Sequence, residues 1–142
     1  MMKKLILCCL LFVAVLCVPT SHAQWIGGPR VYMQIKDKVY AVTLEDTPPA
    51  QELLQRLPMT VHMTEKDGKE KYHYLLQPLS TLPENVGFIE NGDILLWNND
   101  CLVIFYEKVY TSDAYTRIGR IENPADLAIM LGHDDVNVIF GR

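Results

Sequence analysis

The stretch Asp93–Glu107, DILLWNNDCLVIFYE, carries two apolar runs separated by Asn98-Asn99-Asp100. Ile94, Leu95 and Leu96 are apolar at successive rather than alternate positions, and so are Cys101 to Tyr106. Runs this short, bounded by turn residues and rich in β-branched and aromatic side chains, predict strands covered on both faces. Whatever surrounds them must therefore supply a core inside and a second layer outside.

Outward from this pair, the chain reads as β segments joined by tight turns. Val31 to Lys36 alternates Val31, Met33 and Ile35 against Tyr32, Gln34 and Lys36, and a second β-prone run, Val39 to Leu44, follows Asp37. Met59, Val61 and Met63 share one face of MTVHMTEK, and Asp67-Gly68 turns the chain into KEKYHYLL, a second hairpin signal. Val86 to Glu90 reads as a short strand before a tight turn at Asn91-Gly92, and Tyr115 to Ile121 and Val136 to Phe140 complete the strands.

Two helices interrupt this pattern. In EDTPPAQELLQRLP, Asp46 or Thr47 can cap, a proline fits the first turn, and Ala50, Leu53, Leu54 and Leu57 form one stripe before Pro58 stops the helix. Asn123-Pro124-Ala125-Asp126 predicts a second start, with a carboxylate near the positive helix end and Leu127, Met130 and Leu131 as the buried stripe. Gly27-Gly28-Pro29 precedes the first strand and reads as a flexible leader. Seven to nine short strands with two short helices in one small unit predict a mainly β protein. A closed barrel flanked by helices is the economical way to avoid exposed edges.

The first residues have the composition of an export signal: Lys3 and Lys4, an apolar run from Leu5 to Val18, and Ser21-His22-Ala23, with cleavage expected after Ala23. The apolar run is short of the roughly 20 residues that cross a bilayer as a helix, so no permanent membrane anchor is expected. Residues 1–23 are thus expected to be a signal peptide and 24–142 a single exported domain, placed in the periplasm. Beyond Ala23 the chain carries 11 basic and 17 acidic side chains without a basic cluster, which opposes nucleic-acid binding. Cys101 remains as the one cysteine after position 23, so no internal disulfide is expected and the residue reads as core.

Few residues suggest chemistry. His62 and His73 lie on the two arms of the Asp67-Gly68 hairpin, without the spacing of a metal set, and read as surface histidines. His133 with Asp134 and Asp135 reads as a solvated turn. Ser80 and Ser112 have no histidine or acid at a meaningful spacing, and Glu70 and Glu107 are the best carboxylates near strand ends without forming an evident pair. No cofactor and no metal is expected. Flat or pliable side chains on the strands are the better candidates: Tyr72, Tyr74, Trp97, Tyr106, Met59 and Met63 suit a groove for an extended peptide or a small apolar ligand.

Several pieces in their order resemble the cyclophilin-like barrel family, in particular its small bacterial members that are not true cyclophilins. They are Leu57-Pro58-Met59-Thr60, Glu70-Lys71-Tyr72, Gly92-Asp93 with its apolar strand, Cys101 to Tyr106, and Tyr115-Thr116-Arg117-Ile118-Gly119-Arg120-Ile121, spread from Val31 to Phe140. The resemblance implies a closed eight-stranded β-barrel with a helix at each end. In true cyclophilins it also implies peptidyl-prolyl isomerisation, in which an arginine hydrogen-bonds the prolyl nitrogen and lowers a barrier of roughly 18–20 kcal/mol. That arginine stands in a Phe-His-Arg strand just after the first helix. The comparable strand here, KEKYHYLL, has Tyr72, His73 and Tyr74 and no arginine.

The remaining candidates are Arg117 and Arg120. Their odd separation directs them to opposite faces of a strand unless Gly119 makes a bulge; without one, Arg120 shares its face with Ile118, and Arg117 shares its face with Tyr115 and Ile121. One is expected as a solvated or ion-paired surface residue and the other near a barrel rim. The expected function is a non-catalytic peptide or small-molecule binding module of the cell envelope, with Tyr72, Tyr74, Met59, Met63, Tyr106, Arg117 and Arg120 as candidate contacts. The enzymatic alternative is an isomerase using a relocated Arg117 or Arg120.

Overall fold

A computed structural model of the chain describes residues 27–142. The predicted signal peptide lies outside the described residues. Eight antiparallel strands close into a barrel: β1 (Arg30–Ile35), β2 (Lys38–Leu44), β3 (Met59–Lys66), β4 (Glu70–Tyr74), β7 (Asp93–Trp97), β8 (Cys101–Phe105), β10 (Ala114–Ile121) and β11 (Val136–Gly141). Around the cylinder they run β2-β1-β11-β3-β4-β8-β7-β10, and β10 then pairs back to β2. Closure leaves neither β2 nor β10 as an open edge at that seam. The fold is mainly β, as the sequence predicts, with a barrel of eight strands and two short helices.

Three further pieces are two-residue strands: β5 (Glu84–Asn85) against β10, and β6 (Phe88–Ile89) paired with β9 (Val109–Tyr110) in a separate ribbon. Pairings of two residues are too short to show any period, which is why the strand count exceeds the seven to nine expected.

The bore is filled by alternate residues: Val31, Met33 and Ile35 of β1; Val42 and Leu44 of β2; Val61 and Met63 of β3; Ile94 and Leu96 of β7; Leu102 and Ile104 of β8; Val138 and Phe140 of β11. α1 (Pro48–Gln55) adds buried Ala50 and Leu53, and α2 (Leu127–Leu131) adds Leu127 and Leu131. The helix stripes are those expected, with Leu54 and Met130 partly buried against the same core. A second cluster, Ile89, Leu95, Cys101, Val103 and Phe105, lies on the outer face of β7 and β8 beneath the β6–β9 ribbon. It accounts for the continuous apolar runs, since both faces of these two strands are covered.

The caps differ from expectation. Thr47 is the N-cap of α1 but its side chain makes no cap hydrogen bond, and Asn123 precedes a 3₁₀ turn, Pro124–Asp126, in the left-handed conformation at φ 50°. Asp126 instead pairs with Lys38 and accepts a 2.7 Å hydrogen bond from the Tyr40 hydroxyl, tying the turn to β2. Gly28 and Pro29 are not a flexible leader. The Gly28 amide donates to Leu44 O at 2.7 Å and the Leu44 amide to Pro29 O at 2.9 Å, so the segment pairs with the end of β2.

β10 departs most from a regular strand. Arg117 lies opposite Leu95, Gly119 opposite Ile94 and Arg120 opposite Asp93, so Ile118 is an extra residue in a β-bulge. Its side chain is buried in the bore, and its carbonyl accepts from the Glu45 amide at 2.9 Å. Gly119 lies so close to β2 that a Cβ would stand 2.7 Å from Thr43 O.

Candidate functional site

The β4 side chains that face away from the bore are Glu70, Tyr72 and Tyr74, because Lys71 between them is fully buried inside. Tyr72 and Tyr74 stand opposite Val103 and Cys101 of β8, and Cys101 stands opposite Trp97 of β7. With Lys66 at the end of β3, Asp113 ahead of β10 and Tyr115 on it, these residues line an outer-face groove of about 220 Å³. Its walls are aromatic: Tyr72 and Tyr74 meet edge to face at 5.7 Å, and Tyr115 packs edge to face on Phe105 at 5.9 Å. Tyr74 and Trp97 are 55% and 40% exposed and form the open part of the groove.

The polar groups in this groove are unevenly solvated. The Glu70 side chain is 17% exposed, and Lys66 Nζ lies 3.9 Å from its carboxylate. Burial raises the Glu70 pKa, with Lys66 opposing the shift. Tyr115 is pushed up to about 12, first by burial and then by the charges of Glu70 and Asp113. Burial, with Asp100 and Glu70 adding to it, pushes the Cys101 thiol up to about 11. A thiol so protonated is a poor nucleophile. The arrangement suits recognition by aromatic surface and charge.

Of the seven candidate contacts, Tyr72 and Tyr74 meet in this groove. Met59 borders a different, shallow depression with Arg56, Thr60, His73 and Leu75. Met63 fills the bore. Tyr106 also points inward, its hydroxyl 2.5 and 2.9 Å from the two carboxylate oxygens of Glu65.

The bulge turns Arg117 and Arg120 to the same outer face, correcting the expectation of opposite faces, since their partners Leu95 and Asp93 are two residues apart. Arg120 therefore does not share a face with Ile118, nor Arg117 with Ile121. Arg117 pairs with Glu84 of β5, and Arg120 donates to Asp93 at 3.1 Å. Neither is among the residues that line the groove.

The two histidines do come near one another: His73 Nδ1 is 2.9 Å from the His62 carbonyl, while the His62 ring lies 3.0 Å from Asn137 Oδ1 and 3.4 Å from Asp135. Among the described residues no group of three or more His, Cys, Asp or Glu side chains is arranged to hold a metal ion. No described helix is long and apolar enough to cross a membrane.

Trp97, one of the flat side chains expected to suit a groove, also lines it, together with Tyr115, Glu70, Asp113 and Lys66, which are outside the candidate contacts. The signal for Glu70 was its i, i+2, i+4 relation to Tyr72 and Tyr74, which places all three on one strand face. Nothing local to Asp113 or Tyr115 indicates that β10 lies beside β7 near this face.

The comparisons agree with this architecture. The Cyclophilin-like family profile matches residues 33–141, and the chain belongs to that family. The solution structure of a hypothetical protein from Archaeoglobus fulgidus shares the fold, with a TM-score of 0.60 at 18% identity over 80% of this chain and 93% of the other. No curated protein matches the chain.

Proposed function

We propose that the protein is an exported binding module of the cell envelope that holds a peptide segment or a small apolar ligand in the Tyr72–Tyr74–Trp97–Tyr115 groove, without covalent chemistry. The observation that carries this reading is the aromatic groove on the outer barrel face whose lining contains no guanidinium. A cyclophilin-type isomerase needs that cation over the imide nitrogen, where it stabilises the twisted bond. Arg117 and Arg120 are instead engaged with Glu84 and Asp93.

Two measurements on the chain from Gln24 onward test the reading. Titration with proline-containing tetrapeptides, followed by amide NMR, is expected to shift resonances of β4, β7 and β8 around the groove. Isomerisation of the same peptides is expected to proceed at the uncatalysed rate. Catalysis that disappears in an Arg117→Ala, Arg120→Ala double variant would make the protein an isomerase and end the proposal. Recovery of the protein with its amino terminus at Gln24 from a periplasmic extract is the expected sign of export.

A further inference from the structure

We propose that the groove receives one positively charged side chain, lysine or arginine, presented by an extended peptide. This rests on the reading of the groove as a peptide site and adds the chemistry of what enters it.

Each class of occupant would act differently on Glu70. Its carboxylate is already largely withdrawn from water, and Lys66 Nζ at 3.9 Å stands beyond hydrogen-bond distance. A neutral apolar side chain filling the groove would remove more water from that carboxylate and return no hydrogen bond, which opposes binding. An anionic side chain would meet Glu70 and Asp113 together. An ammonium or guanidinium gives Glu70 a charge-assisted hydrogen-bond partner.

The walls point the same way. Tyr72, Tyr74, Trp97 and Tyr115 surround the space, and the faces of such rings attract cations. Burial first, and then the charges of Glu70 and Asp113, raise the Tyr115 pKa, so two carboxylates act on this wall of the groove. Lys66 is the one cation in the lining, and its side chain is 56% exposed, at the rim rather than among the rings. At longer range the excess of acidic over basic side chains beyond Ala23 favours approach of a basic segment.

The size and shape of the space favour a side chain on a peptide over a free amine. About 220 Å³ accommodates a single long side chain. The exposed faces of Tyr74 and Trp97 extend the apolar surface beyond the cavity, where residues on either side of the cation can lie.

Calorimetric titration of the chain from Gln24 onward tests this with four probes: acetyl-Ala-Arg-Ala-amide, its norleucine and glutamate counterparts, and agmatine. The arginine peptide is expected to bind at least about tenfold more tightly than the norleucine peptide, with no detectable binding of the glutamate peptide. In Glu70→Gln the preference should fall to near unity while the norleucine affinity holds or rises. Asp113→Asn, at an exposed position, should reduce the preference by a smaller factor and serves if Glu70→Gln does not fold. Equal affinity for the arginine and norleucine peptides would overturn the cationic assignment and leave the peptide reading standing. Agmatine binding as tightly as the arginine peptide would overturn the peptide source. Failure of every peptide to bind would remove the underlying reading itself.

Discussion

Lys71 and Glu65, on neighbouring strands β4 and β3, form an ion pair at one end of the bore, with the Lys71 side chain wholly shielded from solvent. Lys71 Nζ also donates to Gly132 O at 2.8 Å and Asp134 O at 2.6 Å, fastening the segment after α2 over that end. Tyr106 completes the group through its hydroxyl on Glu65 and its ring beneath the ammonium, 5.4 Å from the centroid. Removing the carboxylate with Glu65→Leu strands a buried ammonium and is expected to cost about 3–5 kcal/mol, read from urea unfolding. The double variant Glu65→Leu, Lys71→Met should recover much of that loss. A double variant no better than the single one would show that the pair is not the reason for the loss.

Two glutamates on the same hairpin should respond to pH in opposite directions. Burial would raise the Glu65 pKa, but hydrogen bonds from Lys71 and Tyr106 hold it below the usual value. Its contribution to stability is present above the ordinary glutamate range and is lost as pH falls through its folded value. Glu70 is raised by burial, so its contribution is present below the ordinary range and is lost as pH rises through its folded value. Glu70→Gln should therefore be more stable than the parent at about pH 7, with the advantage gone by about pH 4. Denaturant midpoints at the two pH values check the sign.

Gly119 sits where β10 closes on β2, and the atom a Cβ would meet is the backbone oxygen of Thr43. Backbone on both sides cannot move without opening the barrel seam. Gly119→Ala is expected to lose about 1–3 kcal/mol of stability, measurable as a lowered thermal midpoint. Gly68→Ala provides the contrast. Its Cβ would meet nothing within 4 Å, so any loss there reflects only its positive φ of 66°.

The Cys101 thiol forms part of the groove floor yet is buried and pushed up to about 11. In the folded protein it should react with a disulfide reagent far more slowly than a free thiol at the same pH, and become fully reactive in denaturant. Rapid labelling under native conditions would mean that β8 opens at its Cys101 end.

The parts of this fold that could be read from sequence are those with a local period. Val31, Met33 and Ile35 alternate into the bore, and Asp67-Gly68 joins two strands that pair through Thr64 and Tyr72. The unbroken apolar runs at Ile94 and Cys101 announced a second layer, and the outer cluster supplies it. Lys71 could not be read in this way. KEKYHYLL has the polarity of a surface strand, and the burial of its second lysine depends on Glu65, Tyr106 and two carbonyls brought from three separate segments. The groove was half legible for the same reason: Tyr72 and Tyr74 share a face by spacing alone, whereas Tyr115 joins them through packing beside β7 that no short pattern records. Spacing sends Arg117 and Arg120 to opposite faces unless a bulge intervenes, and the bulge that does intervene alters facing without altering composition.

The bulge at Ile118 sets which face every later residue of β10 presents. Were β10 to run through Ile118 without the bulge, each later residue would take the opposite face, so that Arg120 would swing into the oily interior while Ile121 rotated out toward water. The irregularity at Ile118 and Gly119 therefore separates a cylinder lined by hydrocarbon from one obliged to bury a second cation in addition to Lys71.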